Sequence, residues 1–83
     1  MLLREAVGEA RAMGVVVPPE YDFCFEVLIL NNDDEVIGKF TDEEYTGSIA
    51  EIYKDWEVSD RCIDFDKERN AYVMTIRIRE EGE

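Results

Sequence analysis

Hydrophobic and polar positions along this chain follow a helical period at its N-terminal end and a strand-like period afterwards. Residues 2 to 13 place apolar side chains three and four positions apart, which predicts an amphipathic helix ending at Gly14. Residues 15 to 19 are three valines and two prolines, and they predict an extended connector because the residue before a proline avoids helical geometry.

Two β-hairpins are predicted farther along the chain. Residues 22 to 30 are apolar on both alternating faces, which is typical of a strand covered on both sides. The Asn and Asp residues at 31 to 34 predict a turn into a returning strand at 35 to 40. Residues 61 to 66 and 72 to 79 predict a second hairpin with its turn at 67 to 70, followed by a frayed acidic tail at 80 to 83.

A second helix is predicted between the hairpins, from Thr41 to about Asp55. Thr41 and Glu44 have the spacing of a capping box, and the acids between them favour the positive end of a helix. Gly47 is expected to weaken this helix by about 1 kcal/mol. The apolar stripe of the helix consists of Tyr45, Ile49, Ile52, Tyr53 and Trp56.

These elements predict a single α+β domain over residues 1–83, in the order α-β-β-α-β-β. Short hairpins and a helical crossover indicate a four-stranded, mainly antiparallel sheet with a helix packed on one face. We expect the second helix to cover the face that carries Phe25 and Ile76. The first helix is expected to cover part of the opposite face, unless that face meets a partner.

Composition limits the chemistry of this domain. The chain has 21 acidic residues, 9 basic residues, no histidine and a formal net charge of -12. Such a surface repels nucleic acid and anionic membranes and favours basic protein partners. The lack of histidine removes the commonest general base and the commonest metal ligand. We therefore expect a non-enzymatic protein with no catalytic residues, no metal and no cofactor.

Two acidic features of the sequence are candidate functional sites. Glu26 is the only acid embedded among apolar residues of the strand at 22 to 30. We expect either a buried ion pair with Arg77 or Arg61, or a solvated carboxylate at the edge of the sheet. The alternating acids from Asp64 onward are similar to a calcium loop. However, the sixth and twelfth positions hold Arg69 and Thr75 where an EF-hand needs Gly and Glu, so we interpret this segment as a polar turn.

The two cysteines, Cys24 and Cys62, form no CxxC motif. The N-terminal segment has no secretory signal pattern, and the apolar runs are too short to span a bilayer. A cytoplasmic protein with reduced thiols is therefore expected. A disulfide would require the two strands that carry the cysteines to be neighbours.

The acids gather in short clusters that predict a partner-binding surface. Acids at alternate strand positions lie roughly 6.7 Å apart, which is comparable with successive phosphates of a nucleic acid. One hypothesis is therefore an inhibitor that mimics nucleic acid and occupies the basic surface of a nucleic-acid-binding protein. In size and charge the chain resembles small acidic inhibitors of phages and mobile elements, including uracil-glycosylase inhibitors, without a shared motif. The predicted partner-binding residues are Asp33, Asp34, Glu35, Asp42, Glu43, Asp64, Asp66 and Glu68.

The alternative hypothesis is a homodimer or an accessory subunit that associates through an apolar sheet face. In that case the acidity serves only solubility, and association tolerates salt. The residues expected in this apolar patch are Cys24, Leu28, Leu30 and Val73.

Overall fold

A computed structural model describes residues 1 to 79 of the chain. The predicted order α-β-β-α-β-β is confirmed, and the predicted tail at 80 to 83 lies outside the described residues. The elements are α1 (Leu3–Val16), β1 (Asp22–Leu30), β2 (Val36–Thr41), α2 (Gly47–Tyr53), β3 (Val58–Asp66) and β4 (Ala71–Arg79).

The four strands form one mixed sheet in the order β2-β1-β4-β3. Each hairpin is antiparallel, but β1 and β4 pair in parallel at the centre, so the prediction of a mainly antiparallel sheet is wrong. The physical reason is burial. Pairing β1 with β4 brings together the two strands richest in buried side chains, and it leaves the exposed β3 at an edge.

The hydrophobic core lies on one face of this sheet. Phe25, Val27 and Ile76 form a single buried cluster with four side chains of α1. Ile49 and Tyr53 of α2 pack at the margin of the same cluster. The expectation that the first helix covers the opposite face is therefore wrong. The α1 side chains in the cluster are Leu3, Ala6, Val7 and Ala10.

Helix α1 is longer than predicted because proline, not glycine, ends it. The helix continues through Gly14 to Val16. Val17 is extended, as expected for a residue before Pro18, and its N–H donates to the Met13 carbonyl oxygen at 3.1 Å. The predicted end at Gly14 is wrong, and the added turn carries Val16 beyond the core.

Helix α2 is shorter than predicted because its capping box stabilises a turn. The Thr41 N–H donates to the Glu44 carboxylate at 2.8 Å, as a capping box requires, but Thr41 is the last residue of β2. Tyr45 is buried in the core, and Thr46 is extended. The helix begins only at Gly47, whose φ of 56° few other residues adopt.

Candidate interaction surfaces

The side of the sheet away from the core, which we call the open face, has no helix packed over it among residues 1 to 79. Glu26, Leu28 and Val73 are half-buried there, and Leu30 is buried among neighbouring side chains. Residues 1 to 79 therefore do not themselves cover β1 on this side, and the predicted cover on both sides would have to come from a partner. The strand residues of the open face are Asp22, Cys24, Glu26, Leu28, Leu30, Val36, Lys39, Thr41, Asp60, Cys62, Asp64, Asp66, Ala71, Val73, Thr75, Arg77 and Arg79.

The open face is acidic, but less one-sidedly than the whole chain. Its strand bases are Lys39, Arg77 and Arg79, against five acids. Arg77 contacts Asp60 directly across the β3–β4 pair at 3.1 Å. This hydrogen bond and the charge of Asp60 raise the pKa of Arg77 above its already high ordinary value. The Arg79 guanidinium donates to the Asn31 carbonyl oxygen at 3.3 Å.

The predicted partner-binding acids do not form one patch. Because β1 runs towards the β1–β2 turn and β3 runs towards the β3–β4 turn, these turns lie at opposite ends of the sheet. One group, Asp33 to Glu35, occupies the first end, and a second group, Asp64 to Glu68, lies towards the other. Asp42 and Glu43 follow β2 at the far edge from β3. A single flat partner therefore cannot contact all eight residues.

The acids at the β1–β2 turn take part in contacts that stabilise the turn. The Asn31 side-chain oxygen accepts hydrogen bonds from the N–H groups of Asp33 at 2.8 Å and Glu35 at 3.0 Å. Asp34 adopts a φ of 63° and forms an ion pair with Arg79. These contacts explain the Asn and Asp residues here without a partner.

Two of the three β3 acids on the open face are engaged within the chain, and one is not. Asp60 pairs with Arg77, and Asp66 pairs with the Arg69 side chain at 3.4 Å and accepts the Glu68 and Arg69 N–H groups in the next turn. Asp64 is exposed and takes part in no ion pair within residues 1 to 79. Its carboxylate receives only a weak contact from the Cys62 thiol at 3.9 Å.

Glu26 does not form the ion pair predicted for it. Arg61 points to the core side of the sheet and pairs with Glu9 of α1 at 2.8 Å. Arg77 is one row away from Glu26 and is held by Asp60. Glu26 instead lies across from threonines on both neighbouring strands.

Both cysteines lie on the open face as free thiols. Cys24 is on β1 and Cys62 on β3, with β4 between them. Two strand spacings are about 9.6 Å, beyond the Cα separation of about 7 Å that a disulfide tolerates. Burial, followed by the charge of Asp42, raises the pKa of the Cys24 thiol, whereas the side chain of Cys62 is exposed.

An apolar groove, which we call the α1–β3 groove, lies on the core side where α1 does not reach over β3. Two adjoining cavities of about 440 and 250 Å³ share Met13 and Val16 of α1 and Ile63 of β3. Val16 is 71% exposed and Ile63 is 40% exposed. The floor is supplied by Phe23, Tyr72 and Met74.

An aromatic cluster lies beside one end of this groove. The rings of Phe65 and Tyr72 are 5.0 Å apart, and Tyr21 meets each of them edge-on. Phe65 remains 40% exposed although it faces the core side. Sequence reasoning assigned Met13 to the core stripe and missed the groove. The available signal was the Val15–Val16 pair, which extends an apolar surface past the end of the stripe.

Within residues 1 to 79, no group of three carboxylate or thiol side chains is arranged to hold a metal ion. The described helices include none long and apolar enough to cross a membrane. No protein-family model matches the chain, and searches of curated proteins and of solved structures give no match.

Proposed function

We propose that this chain is a non-enzymatic protein-interaction domain that binds a basic segment of a partner protein along β3. The observation that carries the proposal is the row of acids at Asp60, Asp64 and Asp66 on an exposed edge strand. Asp64, in the middle of this row, forms no ion pair with residues 1 to 79, so its carboxylate can accept a cation from outside, although Lys67 and Arg69 line the same cavity.

The charge of the whole chain supports the same kind of partner. A net charge of -12 on 83 residues attracts basic proteins over long range and accelerates their association at low salt. Screening by salt shortens this range to about 8 Å at physiological ionic strength. Binding should therefore weaken steeply as salt increases.

The nucleic-acid mimic is a narrower form of this proposal, and the arrangement of charges favours it less. A mimic needs several acidic rows side by side, whereas β3 supplies one row. The neighbouring strand β4 carries Arg77 and Arg79 on the same face. A basic peptide segment fits a single row better than a broad nucleic-acid-binding groove does.

Charge reversal close to β3 and far from β3 tests the proposal. Binding of a fluorescent oligolysine peptide would be measured for Asp64→Lys/Glu68→Lys and for the control Asp33→Lys/Glu43→Lys. Both variants change the net charge equally, and all four residues are exposed. We expect the first variant to weaken binding about tenfold more than the control, equivalent to about 1.4 kcal/mol. If both variants lost peptide affinity equally, total charge alone would explain the binding, and a site on β3 would be contradicted.

The open face supports a second candidate function, association with another copy of this chain or with a larger subunit. The observation is the pair of half-buried side chains Leu28 and Val73 near the centre of this face, with Arg77 and Arg79 beside them. Interfaces in general contain fewer acids and more arginine than the rest of a protein surface. The uncovered central pair is parallel, a pairing that usually has both faces covered.

Sedimentation at low and high salt separates the two candidates. Salt screens repulsion between two chains of charge -12, so self-association should strengthen with salt while binding of a basic partner weakens. Leu28→Asp should abolish self-association, whereas Ile52→Asp on exposed α2 should not. A monomer at every salt and protein concentration would contradict the homodimer.

A further inference from the structure

Strand β3 has a backbone edge that is free to pair with another strand. It is the last strand of the sheet and pairs with β4 on one side only. At its first residue the outer edge already receives a short segment. The Val58 N–H donates to the Met1 carbonyl oxygen at 2.8 Å, and Leu2 forms an isolated antiparallel bridge with Glu57. From Asp60 to Asp66, β4 is the only backbone partner among residues 1 to 79.

The α1–β3 groove lies directly beside this free edge. Its lining from α1 is Met13 and Val16, and its lining from β3 is Ile63. The larger cavity, about 440 Å³, is within the range of about 300 to 1,000 Å³ usual for ligand pockets. The ion pair of Glu9 and Arg61 lies at one end of the groove.

We infer that an extended segment of the basic partner adds to the sheet as a fifth strand beside β3 and inserts alternate side chains into the α1–β3 groove. This inference rests on the proposed function and names the conformation and residue pattern of the partner. Main-chain hydrogen bonds to the edge provide affinity in this binding mode, and pockets for alternate side chains provide specificity.

The two faces of β3 specify what the added strand must carry. Successive side chains of a strand point to opposite faces, and neighbours across a strand pair contact each other. On the core side, the added strand lies beside Ile63 and Phe65, so apolar side chains fit there. On the open face it lies beside Asp60, Asp64 and Asp66, so lysine or arginine fits there. The ligand is therefore a segment of about seven residues with alternating apolar and basic side chains.

The same charges argue against a second copy of this chain as the occupant. Antiparallel pairing of two β3 strands around Cys62 would place Asp60 of one chain opposite Asp64 of the other. Like charges directly opposite each other destabilise a strand pair. Acids on an edge strand also discourage unspecific edge-to-edge pairing. A basic strand turns both of these repulsions into attractions.

Three labelled peptides of equal composition and length test the inference. The first alternates valine and lysine, the second has the same residues in blocks, and the third alternates but carries N-methyl groups on the residues whose N–H faces the edge. We expect the first peptide to bind at least about tenfold more tightly than the other two.

Two single substitutions test the groove on the protein. Val16→Ser removes an apolar lining side chain, and Val15→Ser is its matched control. Both residues are exposed in the last turn of α1, at 71% and 84%. We expect Val16→Ser to weaken the alternating peptide several-fold and to leave the blocked peptide unchanged, whereas Val15→Ser should affect neither. Unchanged circular dichroism would confirm that both variants fold.

The outcomes separate this inference from the proposed function. Equal binding of all three peptides, weakened only by Asp64→Lys/Glu68→Lys, would overturn strand addition and leave basic-partner binding in place. No binding of any peptide at low salt would overturn both. Tight binding of the alternating peptide that is insensitive to N-methylation and to Val16→Ser would also overturn strand addition.

Discussion

Strands β2 and β3 form the two edges of one sheet, but they differ in what covers them. The core side of β2 carries Phe40, which is buried and stacked on Tyr45 and Tyr53 from the following segment. The core side of β3 carries Ile63 and Phe65, each 40% exposed, because α1 packs on β1 and β4. The chain therefore covers the end of β2 around Phe40 itself, although Val36 and Ile37 at the start of β2 are exposed, and it leaves Ile63 and Phe65 of β3 partly uncovered.

The two edge strands also differ in length and charge, and both differences favour strand pairing at β3. β2 has six residues and a register irregularity opposite the end of β1, which shortens the pairing edge it presents. β3 has nine residues, with a register irregularity at its start between Val58 and Asp60 and three acids on the open face. Proteins often protect an exposed edge with charge, and acids on an edge repel acidic strands while attracting basic ones. Selective use of β3 follows from this contrast.

Removing one aromatic ring from each edge should give the largest measurable difference. Phe40→Ala removes a buried ring stacked on two others and should reduce the free energy of unfolding by about 3 to 5 kcal/mol. Phe65→Ala removes a ring that is 40% exposed and should cost about 1 to 2 kcal/mol, from partial burial and from edge-on contacts with Tyr21 and Tyr72. Urea unfolding of both variants provides the comparison. Similar losses at the two positions would show that β3 is as well packed as β2.

A substitution at the start of α2, the segment that follows β2, tests how far the free energy of unfolding depends on the backbone conformation of Gly47. Gly47 has a φ of 56° and nothing within 4 Å of the position a Cβ would occupy. Gly47→Ala therefore creates backbone strain without a steric clash and should cost about 1 to 2 kcal/mol. The control is Gly8→Ala in α1, which has the same open space, a helical setting and an expected gain of about 0.5 to 1 kcal/mol. If Gly47→Ala stabilised the fold as Gly8→Ala does, the expected backbone strain at residue 47 would be refuted.

The reactivity of the two thiols should differ between the edge strand β3 and the central strand β1. Cys62 on β3 is exposed, whereas Cys24 on β1 is half-buried and has a pKa raised by burial and by Asp42. Because the thiolate is the reacting form, iodoacetamide should modify Cys62 several-fold faster than Cys24 at neutral pH. Peptide mass spectrometry after short exposures would measure both rates, and Cys62→Ser isolates the slower one. Faster modification of Cys24 would contradict the described burial of β1.

The sequence predicted the strands better than the helix ends. Residues 22 to 30 were predicted as a strand with the observed bounds, because nine residues of high strand propensity lie between a proline connector and an Asn-Asp turn. The helix ends were mispredicted because local signals competed. Pro18 outweighed Gly14, and the burial of Tyr45 left the Thr41–Glu44 capping box in a turn.

The surfaces were less predictable because they depend on strand order. The apolar patch of Cys24, Leu28, Leu30 and Val73 follows from side-chain alternation, and all four do share the open face. The eight acids were treated as one surface, but the direction of β1 and β3 sends their turns to opposite ends. The residue pattern of one strand does not reveal which strand will lie beside it. The α1–β3 groove exists only because the strand order places β3 at the edge of the sheet, beyond the reach of α1.

The smallest expected effect is the alkaline loss of stability on the β2 side. Burial raises the pKa of the Tyr45 phenol above its ordinary value near 10, so the folded chain holds this proton more tightly than the unfolded chain does. Stability from this group is therefore fully present below the unfolded pKa and declines as pH rises from that value towards the folded pKa.

Tyr45→Phe isolates this contribution, because phenylalanine keeps the ring that stacks on Phe40 and removes the titrating hydroxyl. Urea unfolding of both proteins at pH 8 and near pH 11 should show a smaller alkaline loss for the variant than for the parent chain. The difference should be a fraction of the 1.36 kcal/mol that one pKa unit represents. An alkaline loss as large for Tyr45→Phe as for the parent chain would contradict the burial of the Tyr45 phenol, and with it the cover that this residue gives to Phe40 of β2.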